Sequence, residues 1–309
     1  MGEKSDFSIA VILLILMIPL FFFMIHNIDW TTGGPEDPDQ NKKQEQGADQ
    51  NDDKREENKD DEKDSGDKKN KDKDVDEEKD KDKENGKADE NKKKREVVWG
   101  VDSASVTTEE MYVCVNDQFG KPEIWGRYLG SKEGVSRGIT KKEVQYLHDR
   151  EIKILPIYNH FTKAEGHDRG VELAQHAVSL AQEIGLPEDK AIFADIEPDY
   201  PVDASFIQGW YDGLKDTAYQ PGIYGVFAED QALFEIYNQV LKDNEELGKE
   251  MIIWSAHPQL EITTKDNAPK YEPIAPKNSL LLGWQYGIDA KECHIDTNLF
   301  KAEIIEYLW

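Results

Sequence analysis

Cysteine is nearly absent from this chain of 309 residues: Cys114 and Cys293 are the only two. Their spacing excludes the paired ligands of a zinc or iron–sulfur site. Spacing leaves open whether they are free and buried or joined as a disulfide. Positive charge is also scarce, with 38 Lys and Arg against 64 Asp and Glu, a net −26. Nucleic acid requires a basic footprint, so no DNA or RNA partner is expected. The overall charge gives no help toward anionic polymers either. Histidines such as His160 and His257 lack a partner at ligand spacing. No metal and no cofactor are expected.

Large apolar residues are missing from Thr31–Glu96, where Val75 is the only one. That tract cannot bury enough surface to offset ordering entropy, so a disordered, charged linker is expected. As a random coil it would span on the order of 45 Å. Before it lies the one long hydrophobic run, Phe7–Ile25, broken only by Ser8 and Pro19. Its length approaches the ~20 residues that cross a bilayer as a helix. No small-residue cleavage site follows, so an uncleaved transmembrane anchor is expected. Lys4 on the short N-terminal flank favours that end on the cytoplasmic side. The reading is therefore residues 1–30 as a membrane anchor, 31–96 as linker and 97–309 as a globular domain. It implies a single-pass protein of the cell membrane, with its domain extracytoplasmic.

From Val97 onward the composition is globular, with 19 Lys and Arg against 36 Asp and Glu. Apolar, β-branched runs recur at Val97–Ala104, Glu123–Leu129, Lys153–Tyr158, Ala191–Glu197, Gly222–Phe227, Met251–Ala256, Leu280–Tyr286 and Cys293–Asn298. Helical patterns separate the earlier ones. Thr107-Thr108-Glu109-Glu110 opens one helix, and Thr140-Lys141-Lys142-Glu143 reads as a capping box. Arg169–Ile184 carries Val171, Ala174, Val178 and Ala181 at helical spacing and closes at Gly185. Asp203–Tyr219 and Ala228–Leu247 complete the set. The alternation predicts an α/β fold, an irregular (β/α)8 TIM-type barrel with its irregularity after the sixth strand.

In such a barrel, chemistry sits at the C-terminal ends of the strands. Those ends supply Asp102, then Arg127, Tyr158, Asp195 with Glu197, Tyr224, Trp254, Trp284 with Gln285 and Tyr286, and finally Asp296. Acids and aromatics dominate, a mixture that suits sugars. Asp195 and Glu197 share a face of their strand, their Cα atoms roughly 6.5–7 Å apart. Like charges that close raise the pKa of at least one. One proton donor beside one carboxylate is the requirement for glycoside hydrolysis.

Gly100-Val101-Asp102-Ser103-Ala104, Asp195-Ile196-Glu197, Gly283-Trp284-Gln285-Tyr286 and Ile295-Asp296-Thr297-Asn298-Leu299-Phe300 occur in that order. With them, residues 98–300 resemble the bacterial glycoside-hydrolase-like domains of the DUF1906 group, relatives of the family 25 glycoside hydrolases, the barrel lysozymes. The resemblance implies Glu197 as general acid and Asp195 as the group that stabilises developing charge or positions the substrate's acetamido group. It implies Asp102 and Asp296 as an acidic floor, and Tyr224 and Trp284 along sugar subsites. Arg127, Tyr158, Trp254, Gln285 and Tyr286 are the other expected substrate contacts. The implied activity is muramidase-like cleavage of peptidoglycan or a related cell-wall polysaccharide. The alternative is a catalytically silent glycan-binding module on the same fold.

Overall fold

A computed structural model describes residues 96–309. The expected anchor at Phe7–Ile25 and, apart from Glu96, the expected linker lie outside the described residues. Among the described residues, no helix is long and apolar enough to cross a membrane.

Eight strands close into one barrel in chain order. They are β1 (Val97–Asp102), β2 (Ile124–Tyr128), β3 (Lys153–Tyr158), β4 (Ala191–Ile196), β5 (Gln220–Gly225), β6 (Ile252–Ser255), β7 (Leu280–Gly287) and β8 (Asp296–Lys301). The first seven run parallel. The eighth is antiparallel to both β7 and β1, with Asp102 opposite Asp296. The expected eighth strand, Cys293–Asn298, is corrected by this register. Cys293 and His294 take positive φ values of 66° and 50°, a turn that re-aims the chain before β8 begins. Asp296 therefore reaches the same rim as Asp102 from the first residue of its strand, not from a C-terminal end.

The helices are α1 (Glu109–Gln118), α2 (Lys141–His148), α3 (His167–Ile184), α4 (Ala204–Lys215), α5 (Ala232–Asp243) and α6 (Glu245–Glu250). Thr108 caps α1 by accepting from the Met111 amide, and Asp203 caps α4 by accepting from Phe206. Gly185 ends α3 in the left-handed region at φ 89°, where a side chain would be strained. The buried stripe of α3 is Gly170, Leu173, Ala174, Ala177 and Ala181. It is rotated from the expected stripe, because α4 approaches so closely that a Cβ on Gly170 would lie 2.5 Å from the Phe206 carbonyl oxygen. The single expected helix Ala228–Leu247 is two, broken at Asn244, whose side chain accepts from the Leu247 amide to cap α6. No α-helix follows β6 or β7, where the sequence predicted irregularity.

Strand alternation sorts the core into two shells. Val98, Ile124, Leu155, Phe193, Ile252 and Phe300 fill the barrel interior. Residues one step along, such as Val101, Trp125 and Ile154, pack outward beneath α1 and α2. Cys114 and Cys293 form a disulfide that ties α1 to the turn before β8.

Candidate active site

The polar residues of the interior gather at the end of the barrel where the parallel strands finish. Asp102 Oδ2 accepts from Asn298 Nδ2 at 2.7 Å and from Gln285 Nε2 at 3.1 Å. The same Gln285 nitrogen donates to Asp296 Oδ2 at 3.2 Å. Gln285 Oε1 accepts from the Tyr224 hydroxyl at 2.7 Å, and Asp296 Oδ1 accepts from the Asp289 amide at 2.6 Å. Across the mouth, the Tyr128 hydroxyl donates to Asp195 Oδ2 at 3.3 Å. The tight side of this arrangement is between β1 and β2. A Cβ on Gly126 would fall 2.6 Å from the Asp102 Cβ, so only glycine leaves the carboxylate its place.

Four carboxylates thus converge on one small volume. Asp102 and Asp195 are only 5% and 3% exposed, whereas Glu197 and Asp296 are half-buried and open to the rim. Burial pushes Asp102 up to about 6, with the Asn298 and Gln285 donors opposing the rise. Burial pushes Asp296 up to about 8, and the Asp102 charge adds to it. Asp195 is raised well above the usual range, by burial first and then by Glu197. Glu197 is raised by burial and by Asp199, while the Lys132 cation pulls the other way. Carboxyls shifted upward beside one another keep a proton to higher pH than isolated ones, which suits a proton donor beside a carboxylate. Asp195 Oδ1 has no hydrogen-bond partner among the described residues, so this buried oxygen remains available to an incoming group.

Tyr128 and Tyr224 face the same acids, which with burial raise both phenols well above their usual range. Both therefore stay neutral hydrogen-bond donors. Among the described residues, no group of three or more His, Cys, Asp or Glu is arranged to hold a metal ion.

Five of the expected substrate contacts lie elsewhere. Arg127 is 0% exposed and points out of the barrel. Its guanidinium meets Glu143 Oε1 at 2.6 Å and donates to the carbonyls of Ser103 (2.6 Å) and Arg137 (3.0 Å). Tyr158 is buried in the outer shell with its hydroxyl 2.8 Å from His176 Nδ1. Trp284 donates to the Pro258 carbonyl at 2.9 Å, and the Tyr286 hydroxyl accepts from Trp99 Nε1 at 3.0 Å. Trp254 does face inward, but it is buried beneath Tyr224, its ring centroid 4.5 Å away, and donates to Asn298 Oδ1 at 2.9 Å. These side chains brace the barrel and its loops and offer no face to a sugar. Tyr128 and Asn298, which the sequence also offers at strand ends, take places in the site beside the expected contacts. Alternation held the signal for Tyr128: it lies two residues from the inward Gly126, and Arg127 is the odd one between them.

The family profile described as Rv2525c-like, glycoside hydrolase-like domain matches residues 122–260. An uncharacterized protein of B. stearothermophilus, solved at 1.07 Å, is 38% identical, with 69% of this chain and 100% of that chain covered and a TM-score of 0.67. The chain shares a family with that protein, and its residues 122–260 form an Rv2525c-like, glycoside hydrolase-like domain. The Tat-secreted protein Rv2525c of Mycobacterium tuberculosis is 14% identical over 65% of this chain and 93% of its own, with a TM-score of 0.44. A muramidase from Acremonium alcalophilum is 16% identical over 68% and 97%, with a TM-score of 0.43. No curated protein matches the chain. The segment matched by the Rv2525c-like profile runs from β2 to beyond β6, and so takes in Tyr128, Asp195, Glu197 and Tyr224. Asp102, Gln285 and Asp296 flank it and close the same mouth.

Proposed function

We propose that the barrel hydrolyses a cell-wall glycan of the peptidoglycan type, with Glu197 as general acid. The observation that carries the reading is the pairing of Glu197 with Asp195: one half-buried carboxyl open to the rim, one deeply buried, both raised. Glu197 gives its proton to the leaving oxygen, and Asp195 opposes the positive charge that develops at the sugar carbon. Asp102 and Asp296, fixed by Gln285 and Asn298, form a hydrogen-bonding floor for hydroxyl or acetamido groups. Tyr128 and Tyr224 bound the cleft with neutral hydroxyls. Incubation of the full chain with purified sacculi tests this reading. New reducing ends are expected, and their absence at every pH between 4 and 8 would contradict hydrolysis.

The second reading is a glycan-binding module that cleaves nothing. It is favoured by the burial of Asp195 and Asp102, which leaves two of the four acids open to the rim. Binding to sacculi without release of reducing ends would select it.

We also propose that residues 7–25 anchor the chain in the cell membrane and that residues 31–96 tether the barrel outside it. The Cys114–Cys293 bond supports an oxidising compartment, because disulfides persist there and are rare in reducing cytosol. The chain should fractionate with membranes and lose that association when residues 7–25 are deleted; recovery of the intact chain in the soluble fraction would refute the anchor.

A further inference from the structure

Two cavities of this acidic domain carry three cations against one carboxylate. One, with Lys242, Lys249 and Lys277 against Glu245, lies at α5, α6 and the segment before β7, and the other adjoins the acidic mouth. This second cavity has a volume of about 630 Å³ and is lined by the loops after β2 and β3 and the first turn of α3. Lys132, Lys163 and Arg169 contribute three cations to its wall, against the single carboxylate of Glu165. Burial lowers the His160 pKa, so the imidazole in the same wall is neutral near pH 7. In a domain with 36 acids and 19 bases, such a cluster needs a reason. Internal pairing does not supply it. Among the described residues Lys163 has no ion pair, and Arg169 meets only Glu172, at 2.7 Å across one exposed helical turn. Exposed pairs of that kind hold their partners weakly.

The cavity adjoins the acidic mouth through Lys132. Its ammonium donates to the Phe161 carbonyl at 2.8 Å and to the Tyr200 hydroxyl at 3.3 Å. Tyr200 stands three residues beyond Glu197, on the loop that leaves β4. Lys132 is thus built in by two hydrogen bonds, while Lys163, and Arg169 by giving up its exposed pair with Glu172, can meet a ligand. A local cationic wall beside an anionic cleft attracts a molecule that is neutral at one end and acidic at the other.

We propose that this cavity is an anion subsite that takes the acidic substituent, carboxylate or phosphate, of the glycan bound over Glu197 and Asp195. The inference rests on the glycan reading above and narrows it to an acidic substrate class. The acid sits against Lys163 and Arg169, with Lys132 at the junction of the two sites. A ligand anion there also offsets the Lys132 cation, which opposes protonation of Glu197. An acidic substrate would then help to keep the general acid protonated.

The test is binding of three oligosaccharides to the full chain at low salt. The first is a neutral tetramer of N-acetylglucosamine. The second alternates N-acetylglucosamine with N-acetylmuramic acid bearing free lactyl carboxylates, and the third is the neutral tetramer carrying a 6-phosphate. An acidic oligosaccharide should bind about 10-fold tighter than the neutral one, as expected for charge-assisted contacts. The double variant Lys163→Ala/Arg169→Ala should lose that advantage and keep neutral binding within about 2-fold. Both side chains are exposed, so the fold is retained. Lys163→Glu should weaken the acidic ligand further. Whichever acidic oligosaccharide responds identifies carboxylate or phosphate as the group. Equal binding of all three, unaffected by the variants, would overturn the subsite and leave the glycan reading standing. No binding of any of them would overturn both.

Discussion

Arg127 offers the sharpest separation between a structural and a substrate-binding role. The sequence placed it at a strand end among the site residues, whereas the structure seals it under the loops. Its partner Glu143 is equally sealed, their side chains 0% and 1% exposed. Arg127→Met leaves the Glu143 charge buried with one remaining donor, the Thr107 amide at 2.8 Å. Breaking a buried pair from one side costs about 3–5 kcal/mol. For a domain of this size each kcal/mol moves Tm by roughly 2–4 °C, so a fall of about 6–20 °C is expected. Adding Glu143→Leu removes the stranded charge. Paired apolar replacements are often neutral, so the double variant should regain much of the loss, short of about 1–3 kcal/mol for the Thr107 amide. Thermal unfolding followed by circular dichroism on the single and double variants reads the coupling directly. A Tm for Arg127→Met within about 2 °C of wild type, together with lost glycan binding, would refute the structural assignment.

The acids should make stability fall as pH rises. Unfolded Asp titrates near 3.9, whereas Asp102 is raised to about 6 and Asp296 to about 8 when folded. The folded chain holds the extra protons, so their stabilisation is complete below about pH 4 and is lost as pH passes through 6 and 8. Tm should be higher at pH 5 than at pH 8.5, and Asp296→Asn should flatten that slope; a Tm that climbs over this range would contradict the assignment. The Cys114–Cys293 bond closes a loop of 179 residues in sequence separation. Chain entropy puts its contribution at about 5 kcal/mol and common experience at about 2–5 kcal/mol. Urea unfolding of Cys114→Ser/Cys293→Ser should show a loss in that range, and an unchanged midpoint would sink the estimate.

The eight strands were legible because each is a short apolar, β-branched run between turn or helix signals. Their direction was not. Periodicity carries no sign for parallel or antiparallel pairing, so β8 read as another forward strand, and its reversal emerges from the positive φ values at Cys293 and His294. The acids were legible at strand ends because apolar runs that stop in carboxylates are uncommon. The aromatics were not separable in the same way, because burial depends on which shell a residue enters. Trp284 and Gln285 are neighbours, yet one packs outward against Pro258 and the other binds Asp102. Glu143 shows a further limit. Its position three residues after Thr140 reads as a capping box, and Thr140 does accept from its amide at 3.2 Å. The carboxylate itself is taken by Arg127, a partner 16 residues away that no local pattern marks.

The central claim is that Glu197 delivers the proton that breaks a glycosidic bond. Glu197→Gln keeps the shape and the hydrogen-bonding reach but cannot donate that proton. The decisive measurement is the release of reducing ends from sacculi by wild type and Glu197→Gln, run beside sacculus binding by both. The account expects cleavage to fall by about 10²–10⁴-fold with binding held. Equal release by the two proteins would contradict it.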